Sequence, residues 1–124
     1  MCLAIAKEEY LDGHYASAAN RSLVEVETRL RELFRELKPN AGVPNKAADL
    51  IAALLSEKGA YHFCDTSMPS GENYRRGIQS LFEGSMAAYR NPSSHENQTL
   101  SKAEAFEQIV LTSQLMKVLD DRSI

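Results

Sequence analysis

Apolar residues recur every three or four positions along most of this 124-residue chain, the spacing that stacks side chains on one face of an α-helix. Leu3, Ala6 and Tyr10 begin the pattern, which meets Asp12-Gly13, where glycine can take the left-handed conformation that ends a helix; a short first helix is expected over 3–11. From His14 the apolar positions Ala16, Ala19, Leu23, Val26, Leu30, Leu33 and Leu37 continue without a break. Glu25, Arg29, Arg31, Glu32 and Arg35 fall between them, so a long amphipathic second helix is expected to stop before "KPNAGVPN". Asn45 follows Pro44 as an expected N-cap for a third helix, in which Leu50/Ile51 and Leu54/Leu55 repeat four apart until Gly59.

The stretch "AYHFCDTSMPSG" loses the helical period and is rich in turn formers, so 60–71 is expected to be a loop or a short turn of strand. A fourth helix is expected over 72–90, with Tyr74, Ile78, Leu81 and Ser85 on one stripe and Phe82, Met86 and Tyr89 on the next. Pro92 ends it, because proline disfavours helical geometry at Asn91 and has no amide to donate. Ser101 and Glu104 have the spacing of a capping box and start the last helix near Lys102. Along that helix Ala105, Ile109, Thr112, Met116 and Leu119 form one stripe, and Leu111, Leu115 and Val118 a second, which is expected to face a partner. The sum is an all-α fold: an antiparallel bundle of four main helices plus a short N-terminal one, in a single domain.

Composition narrows the classes. With 44% hydrophobic residues the chain has material for one core, and a net charge of −3 provides neither a basic field nor an acidic tail. Cys2 and Cys64 make no disulfide framework, the sequence shows no n-region and h-region before the first helix, so no signal peptide is expected, and no apolar run is long enough to span a bilayer. A cytoplasmic protein with no membrane partner and reduced thiols is expected. The abrupt start at "MCLAIAKEEY" leaves open that the chain is a domain cut from a longer protein.

The chemistry concentrates at "YRNPSSHEN". Arg90 closes the fourth helix, Asn91-Pro92 interrupts it, and His95 follows. In an unbroken helix residues five apart point in different directions. Asn91-Pro92, however, has the form of an N-cap followed by proline at the first helical position, so 93–96 can make a turn that aims His95 back at Arg90. The plainer alternative is a surface Arg and a loop His that cap helix ends.

"SLFEGSMAAYRNPSSHEN" followed by "SKAEAFEQIVLTSQLMKVLDD" resembles the C-terminal signature of the Ymh-type family of bacterial and prophage proteins, and "DGHYASAANRSLVEVETRLREL" is similar to that family's preceding helix. The family is identified as a member of the HEPN superfamily, marked by R-x4-6-H with a polar residue after the Arg; Arg90, Asn91 and His95 match residue by residue. The resemblance implies a helical bundle that dimerises through its motif-bearing helices. Its function would be that of a metal-independent endoribonuclease in toxin–antitoxin or phage-defence systems, restrained by an antitoxin or a fused sensor domain.

The residues suit that chemistry. RNA carries its own nucleophile in the 2′-hydroxyl, so cleavage needs a base, an acid and a cation, and no cofactor or metal. His95 titrates near neutrality and serves as general acid/base, Arg90 as phosphate and transition-state ligand, and Asn91 orients one of them or the RNA. One histidine cannot readily be base and acid at once, and a homodimer supplies two. Affinity for RNA in an acidic chain has to come from a local patch, with Arg75 and Arg76 as its members about four helical turns before Arg90. The alternative from another class is a catalytically silent dimerisation or partner-binding module of a larger defence protein.

Other features have plainer readings. "DGHYASAA" has the small residues of close helix packing but no repeat period. His62 and Cys64 lack a second ligand pair and belong to a loop or the core. Asp65, Asp120 and Asp121 are expected to be solvated ends of elements.

Overall fold

The computed structural model describes residues 4–90 and 100–120, with the backbone alone for 4 and 5. The described residues form five α-helices and no strand. α1 spans Ala4–Leu11, α2 Tyr15–Leu37, α3 Ala47–Leu55, α4 Pro69–Ser85 and α5 Lys102–Asp120, and a π-helical turn, Met86–Arg90, extends α4. No described helix is long and apolar enough to cross a membrane.

α1 ends as its sequence requires. Gly13 has φ +87°, its amide donates to the Tyr10 carbonyl at 3.1 Å, and His14 donates to Glu9 at 2.8 Å. These are the two bonds of a Schellman cap, which only a residue at ease with positive φ completes cheaply. α2 is the central element, packed against α1, α3, α5 and the π turn. Leu23, Val26, Leu30 and Leu33 are fully buried as expected, joined by Phe34, while Leu37 at the end of the stripe is 39% exposed. Pro39 explains the stop: it pushes Lys38 out of helical geometry, to φ −135°.

The expected Asn45 cap is replaced. The N-cap of α3 is Lys46, in extended geometry and with no side-chain cap bond, while Asn45 offers its carbonyl to Arg31 at 2.9 Å. Arg31 also donates to the Pro44 carbonyl at 2.8 Å, so a guanidinium on α2 ties down the connection. At the other end of α3 the chain folds back over the helix terminus. Ala60 and Tyr61 donate their amides to Ala53 and Leu54 at 3.0 and 2.9 Å, occupying carbonyls that a helix end leaves open. Gly59 allows this approach, since a Cβ there would lie 2.3 Å from the Leu54 oxygen.

The connection to α4 is irregular but carries core residues. Tyr61 and Phe63 are buried and stacked, ring centres 5.6 Å apart, and the Tyr61 hydroxyl donates to the Val118 carbonyl on α5 at 2.6 Å. Asp65 accepts the Ser67 amide at 2.9 Å, a local turn and not a bare solvated end. α4 starts at Pro69, earlier than expected, because "MPSG" is a helix start with proline at its first position and not the tail of a loop.

On α4 the buried positions come from both stripes, and on α5 the second stripe turns inward beside the first. α4 buries Phe82, Ser85 and Arg75, and Met86 of the π turn is buried beside them. Tyr74 and Leu81 are 51% and 47% exposed. On α5 the stripe assigned to a partner turns inward: Leu115 is 1% exposed, and Val118 packs against the core. The outward apolar residues of α5 are Phe106 and Val110. The core joins α2, α3, the 61–63 segment, Phe82, Met86 and the inner side of α5. The expected capping box forms at the start of α5, with reciprocal bonds of 3.1 Å between Ser101 and Glu104.

Candidate functional site

The chain leaves α4 through a widened turn. The amide of Met86 is shared between the carbonyls of Phe82 and Glu83, and Met86–Arg90 continues as a π turn packed against α2. Such turns are uncommon and often stand at functional sites. Here the turn delivers Arg90, half-buried, to the side of α2, where Nε lies 3.7 Å from Glu27 Oε1. That distance is an ion pair but not a hydrogen bond. Nε is itself buried and has no hydrogen-bond acceptor among the described residues, a state that costs about 1–3 kcal/mol for a buried donor.

Glu27 is held from behind. Its Oε2 accepts from Arg31 at 3.3 Å, one helical turn further along α2, and Arg31 is fixed by the Pro44 and Asn45 carbonyls. A chain of alternating groups therefore runs from the α2–α3 connection through Arg31 and Glu27 to Arg90. Neither Glu27 nor the π turn was singled out from sequence. The one available signal was the Glu27/Arg31 spacing of four, which is common on helix surfaces.

Asn91 and His95, the other two expected catalytic residues, lie outside the described residues. Tyr89, beside Arg90, opens on a cavity of about 380 Å³ lined also by Glu104, Glu107, Gln108 and Leu111 of α5. The capping bonds from Ser101 hold the Glu104 carboxyl below the ordinary carboxylate range, so the charged form is favoured there.

The expected basic patch divides. Arg76 is exposed, with one bond to the Asn73 side chain at 3.2 Å. Arg75 is only 7% exposed and is engaged within the fold: it reaches the Leu55 carbonyl and Gln79 at 2.8 Å each, and Glu72 at 2.7 Å. The two follow one another on a helix and point about 100° apart, which placed one in the interior. Of the two residues expected in the RNA patch, Arg75 is thus a clamp between the end of α3 and α4, and Arg76 is the one at the surface. The Glu72 carboxyl is held low in pKa, first by its bonds to Arg75, and the Arg75 guanidinium is raised, first by the same bonds.

The remaining chemistry-bearing residues have structural settings. His62 is exposed, while Cys64 is half-buried with its thiol donating to the Gly71 carbonyl at 3.6 Å. Burial pushes the Cys64 thiol up, and the nearby Arg75 offsets only part of that. No group of three metal-ligating side chains occurs among the described residues. Asp120 receives Arg29 Nε at 3.1 Å, tying α5 to α2.

The chain matches, over residues 2–119, the family model described as "Protein of unknown function (Hypoth_ymh)". No curated protein and no solved structure matches it.

Proposed function

The chain belongs to the Hypoth_Ymh family, and from its R-N-x3-H sequence and the setting of Arg90 we propose that it is a metal-independent endoribonuclease of the HEPN type. In this reading the helices form the HEPN bundle, antiparallel and with a short first helix, and two subunits join at their motif-bearing ends. The supporting observation is Arg90 itself: a carboxylate stands at its buried Nε edge, and the side chain as a whole is partly open to solvent.

His95 takes the proton of the RNA 2′-hydroxyl as that oxygen attacks the adjacent phosphorus, and a second His95, from the twin subunit, protonates the departing 5′-oxygen. Arg90 binds the phosphate oxygens as negative charge accumulates, and Asn91 orients the histidine or the phosphate. The expected readout is cleavage of generic RNA in EDTA by the wild type, lost in His95→Ala with the melting temperature unchanged. Regulation by an antitoxin or a fused sensor domain, in a toxin–antitoxin or phage-defence setting, belongs to the same proposal.

A second reading is favoured by the acidic surroundings. Glu27 stands beside Arg90, and Glu104 and Glu107 line the neighbouring cavity, all unfavourable to a polyanion. A silent dimerisation or partner-binding module would use Arg90 for an interface. It predicts no cleavage by the wild type, and dissociation of the dimer in Arg90→Ala.

A further inference from the structure

We infer that Glu27 is the positioning residue for Arg90, an inference that rests on the ribonuclease reading. An arginine that stabilises charge only in the transition state has to present its fork in one orientation beforehand, because any reorientation during the reaction is subtracted from its effect. Arginine has several rotatable bonds, so its fork keeps one orientation only where a neighbouring group holds it.

Glu27 has the three properties required. It approaches Arg90 at Nε, at 3.7 Å, the edge away from the end of the fork. It attracts through charge, at a distance too long for a hydrogen bond, so it sets direction from the buried Nε edge of the guanidinium. Its own conformation is set in advance, since Arg31 holds the other carboxylate oxygen at 3.3 Å and is itself anchored by two backbone carbonyls. Arg31 thereby also prevents Glu27 from swinging round to close a two-point pair with Arg90, which would take both of its edges out of use.

The competing account is that Glu27 is an unfavourable neighbour that merely repels RNA. The two accounts differ in sign. Removing a negative charge beside a phosphate site raises or preserves RNA affinity in either case, but only a positioning residue lowers the chemical rate when lost. Glu27→Gln keeps the shape of the side chain and removes the charge.

The test measures single-turnover cleavage of a generic RNA in EDTA for wild type, Glu27→Gln, Arg90→Lys and Glu27→Gln/Arg90→Lys, with melting temperatures and the Arg90 Nε–H resonance in 15N-arginine-labelled protein. The expected result for Glu27→Gln is a rate at least tenfold lower, KM unchanged or lower, an unchanged melting temperature and a shifted Arg90 resonance. In the double variant the loss is smaller than the product of the single losses. A wild-type rate in Glu27→Gln, or a rate loss matched by a lower melting temperature with the Arg90 resonance unmoved, overturns the role of Glu27 and leaves the ribonuclease reading standing. A wild type that cleaves no RNA overturns that reading, and the role of Glu27 with it.

Discussion

Replacing Arg75 by Met should weaken the fold and leave contacts with RNA unchanged. The methionine retains much of the apolar stem, so the main loss is in hydrogen bonds. The bond from Arg75 to the Leu55 carbonyl, 2.8 Å long and fully enclosed, satisfies one of the last carbonyls of α3, which the helix itself leaves open. A hydrogen bond to a charged group contributes about 1.5–3 kcal/mol. The bond to Gln79 adds on the order of 0.5–1 kcal/mol. The pair with Glu72 adds little, because water reaches the carboxylate. The total is about 2–4 kcal/mol, which for a chain of this length lowers the melting temperature by on the order of 10 °C. Urea unfolding followed by circular dichroism should show the midpoint falling with the slope unchanged, and fluorescence anisotropy on a single-stranded RNA should match the wild type below the melt. A wild-type midpoint together with RNA affinity reduced tenfold would refute the clamp and return Arg75 to the surface patch.

The other predictions span the fold and the site. Gly71→Ala should cost at least about 1–3 kcal/mol, since a Cβ there would meet the Asp65 carbonyl at 1.7 Å; Gly77→Ala, open to solvent inside α4, should instead add up to about 1 kcal/mol of stability, read as a higher urea midpoint. Leu115→Asp should unfold the monomer and not merely split a dimer, because Leu115 is a core residue; size-exclusion chromatography with circular dichroism distinguishes soluble folded monomer from unfolded chain. The carboxyls of Asp65, Glu72 and Glu104 all have depressed pKa values in the fold, through Ser67, Arg75 and Ser101 respectively. Their stabilisation is therefore complete above the ordinary carboxylate range and lost as pH falls below about 4 to 5 through the lowered folded values; Glu104→Gln should flatten this acid limb in pH-dependent urea titrations. Arg90→Lys keeps the charge but not the fork, so cleavage should fall by roughly tenfold or more at nearly unchanged RNA affinity, and an unaffected rate would remove Arg90 from the chemistry.

Local signals were sufficient wherever a feature is made within a few residues. The Gly13 cap, the length of α2, the capping box at Ser101 and the all-helical class follow from period and from residues three or four apart, because helical hydrogen bonds and caps are themselves that short. Proximity in sequence also picked out Arg90, Asn91 and His95. It could not decide which of two apolar stripes faces inward. On α4 and α5 both stripes are compatible with a helix, and only the positions of α2 and α3 turned Phe82 and Leu115 into core and left Tyr74 and Leu81 outside. Nor could it separate Arg75 from Arg76, identical in type and adjacent in the chain, since the carbonyl that claims Arg75 belongs to another helix twenty residues away. Glu27 was equally silent: its pairing with Arg90 crosses from α2 to the end of α4, and an interaction at that separation exists only after the helices have packed.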